Sequence, residues 1–161
     1  MGKTYSLENA IEARQKARNE NKTFVLTNGC FDVLHAGHAF SLNKAAEFGD
    51  CLWVALNSDE SVHALKGKGR PINCQADRGY LLNSLRAVDG TFFFEKHTLV
   101  KEIEVLEPDV YVKSADYTYE TINKEERKAL EKVGAKIFFV PMHKELSSSS
   151  MIRKIKDSRL I

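Results

Sequence analysis

Five short apolar runs punctuate this sequence, and most of them close on turn or capping residues. Phe24-Val25-Leu26 leads to Asn28-Gly29, and Cys51 to Leu56 leads to Asn57-Ser58-Asp59. Thr91 to Phe94 and Val110-Tyr111-Val112 follow, and Lys136 to Val140 is stopped by Pro141. Runs this short, apolar at consecutive positions, suit strands buried on both faces. Stretches with helical spacing separate them. Strand and helix in alternation predict an α/β fold, a Rossmann-like doubly wound sheet of five parallel strands with helices on both faces. Ligands of such sheets bind beyond the carboxyl ends of the strands, where the strand order reverses.

The helices read as follows. Ser6 precedes Leu7, Ala10, Ile11, Ala13 and Ala17, so a helix over 6–20 forms an N-terminal helical extension across residues 1–21. A second runs from Gly37 to Phe48, with Gly49 as its C-cap. Others cover 58–65, 75–87, 98–106, 121–133 and 149–158. No linker or repeat interrupts the 161 residues, so one domain spans 1–161.

Charge narrows the partners. Lys plus Arg number 24 against 22 for Asp plus Glu, a formal net charge of +2. That is too mild a balance to call for nucleic acid or an anionic membrane surface. No stretch reaches the roughly 18 apolar residues of a membrane helix. Cys30, Cys51 and Cys74 form no CxxC pair and leave an odd thiol, so a reducing cytoplasm is expected.

The informative segment is Thr27-Asn28-Gly29-Cys30-Phe31-Asp32-Val33-Leu34-His35-Ala36-Gly37-His38, between the first strand and the first sheet-covering helix. Gly29 permits a sharp turn or a close backbone approach. Gly37 leaves room at the helix start. His35 and His38, three apart, share a helix face beside free N–H groups and the positive end of the helix dipole. Two imidazoles there make a pocket for phosphate oxygens. Two other readings stand beside it. The histidines could be structural, or they could ligate a metal, although the spacing is not HExxH and no third ligand is near. Asp32, Asp50 and Asp89 read as structural, and Cys30 as packing more than nucleophile because it lacks a base partner. His63, His97 and His143 receive no role.

Here the chain resembles the HxGH nucleotidyltransferase family, in its cytidylyltransferase-like branch, and within it the heptose 1-phosphate adenylyltransferases. The resemblance rests on TNGCFDVLHAGH, Gly49-Asp50, VALNSDESV, LKGKGRPIN, the Arg78 helix, Ala87-Val88-Asp89, PDVYVKSADY and the serine run before the last helix, together about residues 22–157. It implies transfer of a nucleoside monophosphate from ATP to a sugar 1-phosphate, with Mg²⁺ accompanying the triphosphate and pyrophosphate leaving. The alternative is a cytidylyltransferase using CTP and an alditol or other sugar phosphate. The resemblance makes His35, His38 and Lys68 catalytic. It assigns Asn28, Gly29, Cys30, Phe31, Gly37, Arg78, Lys113, Asp116, Ser147, Ser148 and Ser149 to the nucleotide. It assigns Asn57, Asp59, Lys66 and Arg70 to the second substrate. No dedicated metal ligands are expected, and a homodimer is compatible with the family.

The bare residues support parts of this. Lys66, Lys68 and Arg70 lie on a glycine-punctuated basic loop suited to a polyphosphate or sugar phosphate, though an isolated loop of this kind reads equally as solvated surface. Ser147, Ser148 and Ser149 precede an apolar helix pattern, where one serine caps and the neighbouring donors could hold an anion. Two departures stand out. Lys113-Ser114-Ala115-Asp116-Tyr117 replaces the family's Lys-Gly-Gly-Asp-Tyr, removing two residues that accept positive φ at no cost. Met142-His143-Lys144 lacks the arginine of glycerol 3-phosphate cytidylyltransferases, which disfavours glycerol phosphate. A class I aminoacyl-tRNA synthetase core is too large a machine for this length and charge. A non-catalytic nucleotide module would not need both histidines.

Overall fold

The structure, a computed structural model, describes residues 2–141 and 148–158. Ser147 and the Met142-His143-Lys144 segment lie outside the described residues. The first strand, β1 (Lys3–Tyr5), precedes helix α1 (Leu7–Asn19). Then come β2 (Phe24–Gly29), α2 (Ala36–Ala46), β3 (Cys51–Asn57), α3 (Asp59–Lys66) and α4 (Gln75–Asn83). The chain continues through β4 (Gly90–Phe94), α5 (Val100–Leu106), β5 (Val110–Ser114), α6 (Lys124–Lys132), β6 (Lys136–Val140) and α7 (Ser148–Asp157).

The sheet is parallel, in the order β1-β4-β3-β2-β5-β6. It therefore has six strands, not five. The extra strand is Lys3-Thr4-Tyr5, inside the segment expected to be a helical extension. Three residues carry no readable period, and their strand state comes from pairing with β4 through Thr4 and Thr91, whose hydroxyls lie 3.0 Å apart. The α1 expectation holds: Ser6 caps the helix by accepting from Asn9 N, and Ala10, Arg14 and Ala17 face inward.

Consecutive residues of each central strand bury on opposite faces. Phe24, Leu26, Trp53, Phe92 and Tyr111 pack with α1, α5 and α6, whereas Val25, Leu52, Val54, Leu56 and Val112 pack with α2 and α4. Each large side chain so buried contributes about 1.5–3 kcal/mol. Gly49 corrects another expectation. It has no positive φ; instead, a Cβ there would meet Val25 Cγ2 at 2.6 Å and Thr23 O at 2.7 Å, so it serves close packing of the α2–β3 turn on β2.

Aspartates fasten the amino ends of the strands. Asp50 accepts from Thr23 N (2.8 Å), Asp109 from Phe24 N (2.7 Å) and Asp89 from Leu52 N (2.8 Å). Register then opens a crevice at the carboxyl ends. β2 pairs with β3 as far as Gly29 and Leu56, but its register with β5 covers Val25–Val110 and Leu26–Tyr111 alone. Strand order reverses at this same β2–β5 junction, so beyond Leu26 the two strands part and a ligand can enter.

Candidate active site

A cavity of about 460 Å³ fills that crevice, reaching from the carboxyl ends of β2 and β5 to β3, β4 and β6. Asn28, Gly29, Cys30, Phe31, His38, Asn57, Lys66, Lys113 and Asp116 all line it. Residues far apart in sequence are thus brought together around one cavity.

His35 is the N-cap of α2: its Nδ1 accepts the backbone N–H of His38 at 3.3 Å. That bond assigns the proton of a neutral His35 ring to Nε2. The two rings stack, with centroids 3.8 Å apart and planes 17° from parallel. His38 lines the cavity, and its Nδ1 is buried without a hydrogen-bond partner among the described residues, which leaves Nε2 as the ring's outlet. Burial, with His35 and Lys66 nearby, lowers the His38 pKa to about 4, and burial lowers that of His35. Both rings are therefore neutral near pH 7, hydrogen-bond donors rather than fixed cations. Phe31 packs on His38 at 5.0 Å, and its own backbone has φ 45°. A Cβ on Gly29 would lie 2.8 Å from the Phe31 ring, so only glycine lets this ring close against β2.

The basic loop is tied down by Asp32, which is fully buried. Its carboxylate accepts from Arg70 Nε, Ile72 N (2.6 Å) and Asn73 N (3.1 Å), while Asn73 Nδ2 donates to its carbonyl at 2.7 Å. Burial alone would raise the Asp32 pKa, but these donors outweigh it and hold the carboxyl below its ordinary value. Asp32 is thus structural, as its sequence position suggested.

The resemblance places Arg78 on nucleotide phosphates, whereas in the structure it is fully buried and makes four hydrogen bonds to protein acceptors. It donates to Asn73 O (3.2 Å), Cys30 O (2.6 Å), Asn57 O (2.8 Å) and Asp59 Oδ1 (2.9 Å). It braces the carboxyl end of β3 to the loop after β2, and Asp59 is its counterion rather than a free substrate ligand. Arg70 likewise pairs with Asp32. Lys68 is exposed and stands outside the cavity lining. Gly37 is buried in the first turn of α2. Ser148 Oγ donates to Val33 O at 3.2 Å, joining the start of α7 to the histidine loop, and Ser149 lines a separate shallow cleft with Arg70 and Arg153.

Several cavity residues escaped sequence reading. His97 lines the cavity although it has no motif, and so do Asn123 and Glu126 from the start of α6. Asn123 caps α6, accepting from Glu125 N and Glu126 N. Glu126 Oε1 accepts from Leu99 N at 2.9 Å. Nothing in a charged helical pattern distinguishes Glu126 from its solvated neighbours Glu125 and Lys128; only the packing of α6 on α5 does. Cys30 donates to Asn57 Oδ1 at 3.7 Å, and burial raises its pKa, so it remains a thiol.

The sequence model of the cytidylyltransferase-like family matches residues 26–155. The chain belongs to the cytidylyltransferase-like family. Curated members of similar sequence include the Bifunctional protein HldE of Helicobacter pylori strain J99, 43% identical over 96% of this chain and 31% of that protein. The Bifunctional protein HldE of Campylobacter curvus is 45% identical over 88% of this chain and 29% of that protein. The chain spans about a third or less of the length of these curated relatives. Among solved structures, the lipopolysaccharide core biosynthesis protein of Thermoplasma volcanium aligns with a TM-score of 0.62 and 26% identity, over 78% of this chain and 99% of that one. The HxGH segment, His35 to His38, follows β2, the first central strand of the sheet. Among the described residues no helix is long and apolar enough to cross a membrane.

Proposed function

We propose that the chain is a nucleotidyltransferase joining AMP from MgATP to a sugar 1-phosphate, the heptose 1-phosphate adenylyltransferase reaction. The observation that carries this reading is the stacked His35–His38 pair at the N-terminus of α2, with His38 lining the switch-point cavity. Family membership, similarity to HldE proteins and the likeness to a lipopolysaccharide core biosynthesis protein support it.

In this reaction a phosphate oxygen of the sugar 1-phosphate attacks the α-phosphorus of ATP. The bond from that phosphorus to the oxygen bridging to the β-phosphorus breaks, and pyrophosphate departs in line. The attacking phosphate is already ionised near pH 7, so no strong base is needed. The chain contributes position and charge stabilisation. Nε2–H of His35 and His38 donates to phosphate oxygens as charge builds on them, and the free N–H groups of α2 add to the same field. Lys66 and Lys113 bring positive charge to the cavity wall. Mg²⁺ accompanying the triphosphate as part of the substrate would supply charge neutralisation at the leaving pyrophosphate.

Pyrophosphate release tests the reading. The purified chain is given ATP or CTP in turn, with heptose 1-phosphate, glycerol 3-phosphate and other sugar phosphates. Turnover requiring ATP and heptose 1-phosphate is expected. Turnover with CTP and an alditol phosphate would transfer the assignment to the cytidylyl branch, and no turnover with any pair would reject catalysis.

A further inference from the structure

Where β2 and β5 separate, one polar cluster spans the gap. Lys113 Nζ donates to Asn28 Oδ1, and the Tyr111 hydroxyl donates to the same oxygen at 2.9 Å. Tyr111 is fully buried, and its hydroxyl also lies 3.4 Å from Glu126 Oε2. The hydroxyl carries one proton, and the Asn28 oxygen is the nearer of its two acceptors. An ammonium can only donate, so the end of the Asn28 amide that meets Lys113 is its oxygen. The second donor fills the remaining lone pair of that oxygen. The Asn28 NH₂ is then left with two protons and no hydrogen-bond partner among the described residues, while Asn28 lines the cavity. Burial, with the Glu126 carboxylate beside it, raises the Tyr111 pKa well above its ordinary value, so the phenol keeps its proton at any working pH.

We propose that Tyr111 is a positioning residue: it locks the Asn28 carboxamide with its NH₂ turned into the cleft, as a donor to an oxygen of the bound nucleotide. The inference rests on the nucleotidyltransferase reading. Tyr111 touches no ligand itself; its hydroxyl acts through Asn28. A phenylalanine would fill the same apolar space, so stability alone does not call for the hydroxyl's direction.

The test is a double-mutant cycle on the full chain, with the dissociation constant of MgATP measured by calorimetry. Tyr111→Phe should weaken MgATP about 2- to 12-fold, the range for one net hydrogen bond. In an Asn28→Ala background the same change should alter the constant less than twofold, because the group through which it acts is gone. Side-chain ¹⁵N relaxation of Asn28 should report an ordered amide in the wild type and a mobile one in Tyr111→Phe. A loss of equal size in both backgrounds would assign Tyr111 a merely structural role. Unchanged affinity with an equally ordered Asn28 amide would also overturn the inference, while leaving the nucleotidyltransferase reading intact. A wild type that binds no MgATP would overturn both.

Discussion

Nδ1 of His35 accepts the backbone N–H of His38, so one imidazole caps the helix that presents the other. Stability and chemistry are therefore joined at His35 and separable by substitution. Asn is a good N-cap but has no imidazole. His35→Asn should retain the melting temperature while lowering turnover about 10²–10³-fold, the usual cost of one lost oxyanion donor. His35→Ala should lose both, with about 1 kcal/mol of stability gone with the cap. His38→Ala should lose turnover and keep the fold. Pyrophosphate release and thermal unfolding of the three variants check this. Near wild-type turnover by His38→Ala would reject its catalytic role.

The buried His38 ring imposes a pH dependence of known sign. Its pKa is about 4 in the folded chain against 6.5 for the free side chain. As pH falls from 6.5 toward 4, the unfolded chain takes up the proton first, so acidification through this window favours unfolding. His38→Asn should flatten the slope of stability against pH there, as read by denaturant unfolding at pH 4.5 and 7.5. Bound MgATP, an anion beside the ring, should move the His38 titration upward in an NMR experiment.

Arg78 and its partners brace the carboxyl end of β3 to the loop after β2. Arg78→Ala leaves the carbonyls of Cys30, Asn57 and Asn73 without their donor and leaves Asp59 unpaired. With Asp59 partly solvated, a loss of about 2–4 kcal/mol is expected. A variant as stable as the wild type in chemical denaturation, but defective only in MgATP binding, would restore Arg78 to the ligand.

Ser114 and Ala115 stand where the family carries two glycines, yet neither has positive φ. The backbone here therefore does not require glycine, and Ser114 Oγ instead donates to Asp116. Restoring Gly-Gly should destabilise the chain by about 0.4–1 kcal/mol per position through unfolded-state entropy, with the melting temperature falling accordingly. A rise would indicate strain at this loop.

Legibility varied with how local each determinant is. Phe24 to Leu26 and Cys51 to Leu56 announce buried strands because both of their faces are apolar, and the histidine motif lies between adjacent elements of one βα unit. Lys3-Thr4-Tyr5 announces nothing, because its strand state depends on a partner 87 residues away. The environment of Arg78 is illegible for a related reason. An arginine in a helix reads the same whether its guanidinium meets a phosphate or three carbonyls.

The sequence by itself determined the alternation of strand and helix, the crevice-bearing class of sheet, and the two imidazoles at a helix start. These follow from side-chain period and chain proximity. Only the tertiary structure decided that β2 and β5 part beyond Leu26 and Tyr111, that Asp32 and Arg78 turn inward as braces, and that Glu126 reaches the cavity. Hydrogen-bond partners and burial are properties of where distant segments meet, and no local pattern encodes them.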